Sequence, residues 1–166
     1  MNKINYNVCL LFVLLPFVIS CGTMMGAKAP KEMRSMEKII ELPNNSKDQI
    51  YIKVNSWFVE TFVSAESVIE FQDKENGKII GKFVYSYAEG VYTYDVRQVV
   101  DISIKDNKIK VSISNPFYKT TSGLGEKYPN STYRVLETKK GIERARKEWT
   151  ILIESLVKYI NEKSEW

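Results

Sequence analysis

The sequence predicts an α+β fold in two layers. Its elements run β-α-β-β-β-β-α, with an antiparallel sheet carrying two helices on one face. Three observations predict this. Tight-turn residues at Glu89-Gly90 and Asp106-Asn107 join runs in which apolar and polar residues alternate. Apolar residues recur at helical spacing once before those runs and once after them. With 44% hydrophobic and 27% charged residues, the chain has the composition of core-forming, globular material.

Lys38-Ile39-Ile40-Glu41-Leu42 reads as a short strand stopped by Pro43. Ser46 and Gln49 have the spacing of a capping box. Behind them Ile50, Val54, Trp57, Phe58 and Thr61 share one helical face, so 47–62 is a helix. Residues 67–72 alternate, with Ile69 and Phe71 facing the core. The stretch Asp73 to Gly77 turns the chain into a strand at 78–87. A second long strand, 91–104, follows, and a third, 108–114, leaves the Asp106-Asn107 turn.

Turn chemistry and alternation predict a register. A two-residue turn at Glu89-Gly90 pairs Tyr87 with Tyr92, Tyr85 with Tyr94, and Phe83 with Val96. A two-residue turn at Asp106-Asn107 pairs Ile104 with Ile109, Ile102 with Val111, and Val100 with Ile113. Both put the same residues on the core face. Residues 116–137, with Pro116, Gly123, Gly125 and Pro129, read as a long loop. The final element is a helix over 138–163, with Ile142, Ala145, Trp149, Leu152, Ile153, Leu156, Val157 and Ile160 on one stripe.

The N-terminal end has a separate character. Lys3 is the only charged residue before Cys21, and Val8 to Ile19 is uninterrupted apolar sequence. That length suits a signal-peptide core; a membrane-spanning helix needs roughly 20 apolar residues. The run ends in Val18-Ile19-Ser20-Cys21, which resembles the lipobox of bacterial lipoproteins. The resemblance implies cleavage after Ser20, lipidation of Cys21 and acylation of its new amine. Residues 1–20 are then a signal and 21–36 a flexible tether. No acidic residue closely follows Cys21. The expected location is the outer membrane, lipid-anchored and facing the periplasm.

Within residues 37–115 a second resemblance is carried by Lys38-Ile39-Ile40-Glu41-Leu42-Pro43, Ser46-Lys47-Asp48-Gln49-Ile50-Tyr51, Trp57-Phe58, and Ile69 through Asp73-Lys74-Glu75-Asn76-Gly77-Lys78 to Gly81. The stretch resembles a family of envelope domains of unknown function with a TBP-like fold. The resemblance implies a TBP-like β-α-β(4)-α arrangement and carries no catalytic residues to transfer.

The chain has two cysteines and no histidine. Cys9 belongs to the signal and Cys21 to the anchor, so thiol and imidazole catalysis are excluded for the folded part. No cofactor and no metal site is expected. The open sheet face is expected to balance Glu70, Asp95 and Asp101 against Lys82, Arg97 and Lys110. That lacks the basic footprint of a nucleic-acid binder. Tyr85, Tyr87, Tyr92 and Tyr94 cluster at one hairpin end. They read either as the rim of the core, with hydroxyls outward, or as a patch for an envelope protein or glycan partner. The expected function is that of a lipid-anchored binding or assembly module, not an enzyme. One alternative is a carrier holding an apolar ligand among Phe83, Tyr85, Val96, Trp149 and Ile153. Another is a hydrolase using carboxylates from Glu60, Glu66, Glu70 and Asp73.

Overall fold

The structure, a computed structural model, describes residues 26–62 and 68–162. The lipobox, Cys21 and Glu66 lie outside the described residues. Ser46 starts the first helix. Its hydroxyl accepts from the Gln49 backbone N–H while the Gln49 side chain accepts from the Ser46 N–H, a reciprocal cap. Helix α1, Lys47–Thr61, buries Ile50, Tyr51, Val54, Trp57 and Phe58. Helix α2, Lys139–Glu162, buries Ile142, Ala145, Trp149, Leu152, Ile153, Leu156 and Ile160, the stripe its periodicity predicts with Val157 at the edge.

The strands are β1 (Met36–Glu41), β2 (Val68–Asp73), β3 (Lys78–Glu89), β4 (Tyr92–Lys105), β5 (Lys108–Gly123), β6 (Glu126–Lys127) and β7 (Arg134–Val135). Their order is β1-β5-β4-β3-β2, with β6 and β7 also paired to β5. Every pairing is antiparallel. The core fills the space between the helices and one sheet face. Trp57 Nε1 donates to Ser155 Oγ at 3.1 Å, tying the two helices together.

The register predicted at Asp106-Asn107 is the observed one: Ile104 pairs with Ile109, Ile102 with Val111, and Val100 with Ile113. At the other hairpin the turn is Gly90-Val91, and Tyr87 pairs with Tyr94, not Tyr92. The reason is turn chemistry. Gly90 has φ +60° and occupies the first corner, where a type II′ turn needs it; the expected register put it second. The slip is two residues, so the buried face is unchanged.

Three further expectations are corrected, two of them by bulges in the strands. In β2 a bulge between Ile69 and Phe71 pairs Phe71 with Ile80 and Gln72 with Ile79. Phe71 therefore lies on the open face, half-exposed, and Gln72 turns to the helix side, where it donates to Asn55 of α1. Residues 116–137 are not one loop. Strand β5 runs through Asn115 and Pro116 to Gly123, and β6 and β7 pair back on it. A bulge opposite Gln98, with Asn115 at φ +54°, absorbs the proline without ending the strand.

The third correction concerns the tether. Residues 27–36 dock on the domain. The Ala29 N–H donates to Glu137 O at 2.7 Å, and Ala29 is 3% exposed. Glu137 holds Lys28 at 2.8 Å and Arg34 at 2.9 Å, and Arg146 donates to the carbonyls of Met33 and Ser35. A short 3-10 turn, Lys31–Arg34, then leads into β1. Poor periodicity made this segment read as a tether; charged side chains and backbone bonds fix it.

Candidate functional site

The open sheet face carries the candidate site, and the Asn115-Pro116 bulge creates it. Up to Ser114, even-numbered residues of β5 face outward. The extra residue reverses the parity, so Phe117 pairs with Arg97, and Lys119 with Asp95, on the open side. Tyr118 turns to the helix side and packs against the core. Strand β7 fixes the far side, with Val135 paired to Phe117 and the Leu136 N–H donating to Pro116 O at 2.8 Å.

Aromatic rings then bracket a cation. The Arg97 guanidinium lies 4.2 Å from the Tyr133 ring centre and 5.8 Å from that of Phe117. Lys119 Nζ lies 4.9 Å from the same Tyr133 ring and 3.6 Å from Asp95, which also accepts from Ser86 Oγ at 2.6 Å. Beside them is a depression of about 200 Å³ lined by Lys82, Arg97, Gln98, Val99, Asn115 and Phe117. Cation–π attraction to these rings helps hold the guanidinium in place, and its N–H groups suit a carboxylate or hydroxyl partner. Along the rest of this face Lys78 pairs with Asp101, Lys82 with Glu70, and Lys110 with Glu37.

The four tyrosines singled out by sequence lie on the other, helix-facing side of the sheet. They continue a file of rings from α1. Phe62 meets Phe83 at 5.2 Å, Phe83 meets Tyr85 at 6.1 Å, and Tyr85 meets Tyr87 at 6.4 Å. Tyr87 stacks on Tyr94 at 5.3 Å, and Tyr92 follows at 6.3 Å from Tyr94. Arg144 of α2 caps the Tyr87 ring at 4.2 Å. Burial pushes the hydroxyl pKa of Tyr85, Tyr87 and Tyr94 upward. Tyr92 alone among the four is exposed.

The other sequence candidates separate. Val96, Trp149 and Ile153, named for a ligand cavity, are core residues, and the Trp149 N–H donates to Gln98 Oε1 at 2.9 Å. Glu60 accepts from Tyr159 at 2.7 Å, and Glu70 pairs with Lys82. Asp73 accepts from the Asn76 side chain and backbone, which hold its carboxyl below the usual range. Three carboxylates thus serve three separate partners. Sequence reading missed Phe117 and Tyr133 because Asn-Pro looked like a strand end. The signal was present: Phe117 to Thr121 is rich in aromatic and β-branched residues.

Residues 37–119 match the model of a domain of unknown function (DUF4468) with TBP-like fold. Among solved structures, a TBP-like protein from Parabacteroides distasonis is 12% identical with a TM-score of 0.55. That match covers 78% of this chain and 96% of that one. A DUF4468 family protein from Bacteroides ovatus is 16% identical with a TM-score of 0.56, covering 85% and 94%. At these identities the likeness is one of fold. No curated protein matches the sequence.

Proposed function

The chain belongs to this family of domains with a TBP-like fold, and from that premise we propose that it is a lipid-anchored envelope module that binds a partner on its open sheet face. Cys21 is the anchor, in the outer membrane and facing the periplasm. The partner is an envelope protein segment or a glycan that presents a carboxylate or hydroxyl to Arg97. The role is binding or assembly, not catalysis.

The observation that supports this reading is the Arg97 guanidinium held between Tyr133 and Phe117 beside an open depression. Holding the cation in advance lowers the ordering cost of binding. The ion pairing of Lys78, Lys82 and Lys110 favours such a partner over a polyanion, which needs several free cations together.

The test is photo-crosslinking in intact cells from a reactive residue placed at Asn115, with Ile52 on the outer face of α1 as the control site. Specific adducts are expected at 115 and not at 52, and Arg97→Ala should reduce them about tenfold, the cost of one charge-assisted contact. Equal adducts at both sites, or adducts at 115 indifferent to Arg97→Ala, would remove the proposal.

A further inference from the structure

Three features meet at one end of the domain. The first is apolar. At the β3–β4 turn Val91 is 59% exposed, and just beyond β5 Leu124 is 72% exposed. The Leu124 N–H donates to Val91 O at 3.3 Å, so the two turns form one tip, with Tyr92 beside it. Ile52 and Ile151 are equally exposed, but they stand singly between polar neighbours on the outer faces of α1 and α2.

The second feature is charge. The first turn of α2 reaches this end, where Lys140 pairs with Glu89 of β3 and Arg144 lies 3.7 Å from the same carboxylate. Lys139 is exposed nearby, and Lys127 of β6 pairs with Ser122 just below the tip. Acids are present: Glu126 adjoins Lys127, and Glu143 lies 4.0 Å from Lys139. Yet Glu89 meets two cations, and so does Glu137, which leaves the surface with a positive excess.

The third is the path of the chain. The Lys139 N–H donates to Ala27 O at 2.7 Å, and Lys28 bridges to Thr138. The docked segment therefore leaves the domain beside the first turn of α2. Five residues lie between Cys21 and Ala27, so six Cα-to-Cα steps connect them. A segment of that length reaches at most about 20–22 Å. A lipid on Cys21 would hold this part of the domain close to the bilayer.

We propose that this end lies against the bilayer surface, with Val91, Tyr92 and Leu124 seated at the lipid interface and the net positive surface around Lys127, Lys139 and Lys140 turned toward anionic headgroups. This rests on the reading that Cys21 is lipidated. Tyrosine suits the boundary, having an apolar ring and a polar hydroxyl. Lysines gain from anionic headgroups within a Debye length. The acyl anchor supplies concentration, and the tip supplies orientation, so the Arg97 face is held at a fixed attitude to the membrane.

The experiment uses the full chain purified with its lipid and placed in phosphatidylglycerol–phosphatidylcholine vesicles. Single cysteines are introduced as Leu124→Cys, Val91→Cys and, in the turn at the opposite sheet end, Asn76→Cys. Each is labelled with an environment-sensitive fluorophore. Labels at 124 and 91 are expected to shift to the blue and to be quenched several-fold by spin-labelled lipid, and the label at 76 to be unaffected. Lys127→Glu, Lys139→Glu and Lys140→Glu together should weaken the quenching. Identical behaviour at all three positions would overturn the proposal. So would a blue shift at 124 without lipid quenching, which would put a protein there. The anchor is checked separately: a chain lipidated at Cys21 and freed of its signal takes no thiol label unless a cysteine is introduced. Labelling of the unsubstituted chain would refute the anchor, and Leu124→Cys in a Cys9→Ser, Cys21→Ser background would then report on the tip alone.

Discussion

Tyr85 Oη and Gln98 Nε2 are buried with no protein partner among the described residues. Both sit on the helix side of the sheet, on β3 and β4. Gln98 has a structural purpose, since its Oε1 accepts the Trp149 indole N–H. The Tyr85 hydroxyl has no such purpose here, and burial and then the Glu148 charge push its pKa above the ordinary tyrosine value. The folded state thus keeps this proton longer than the unfolded chain does. Its contribution is whole below about pH 10, the unfolded value, and falls as pH rises above it. Tyr85→Phe is expected to raise stability at neutral pH by about 1 kcal/mol by removing the unpaired hydroxyl. It should also flatten the alkaline limb of a stability profile measured by urea unfolding between pH 7 and 11. An unchanged limb would show that another group dominates there.

At the scale of elements, the packing of α1 on the sheet depends on an absence of side chain. Gly81 faces Phe58 and Phe62. A Cβ there would run into the Phe58 ring and lie 3.0 Å from Phe62. The three rings Trp57, Phe58 and Phe62 pack edge-on at 4.6–5.6 Å and leave no slack to accept it. Gly81→Ala is expected to cost about 1–3 kcal/mol by overpacking, read as a lower urea midpoint with an unchanged slope. Alternation marked position 81 as core-facing but said nothing of why it is small. The same limit explains Phe71: a bulge inverts parity within one strand, and a list of alternating residues carries no signal for it. Helices α1 and α2 were far more legible, because the cap, the stripe and their lengths agree.

At the scale of the molecule, Glu137 is the clasp that makes residues 27–36 part of the domain. Lys28 first, and then Arg34, hold its carboxyl below the usual range. The folded pKa is depressed, so this contribution is present above the unfolded value near 4.3 and is lost as pH falls through the folded one. Glu137→Gln is expected to lower stability at pH 7 and to lose less than the unsubstituted chain between pH 7 and pH 3. Thermal melting at the two pH values checks this; equal losses would show that the clasp contributes nothing. Hydrogen exchange should rise in the variant around Lys28 and Arg34, the two residues that the Glu137 carboxylate holds.

The order of the main elements, the faces of both helices and the core side of β3, β4 and the first half of β5 were determined by local sequence. Periodicity and turn chemistry act over a few residues, and here they agree. The family assignment over residues 37–119 rests on the same stretch. Tertiary structure decided what depends on distant partners: the place of β1 beside β5, the docking of 27–36, and the Arg97, Phe117 and Tyr133 cluster. That cluster needs a bulge to reverse one strand's parity and a later segment to fold back over it. Neither the bulge nor the return is written in the spacing of apolar residues, because both follow from where the strand's backbone bonds and the returning ring find partners.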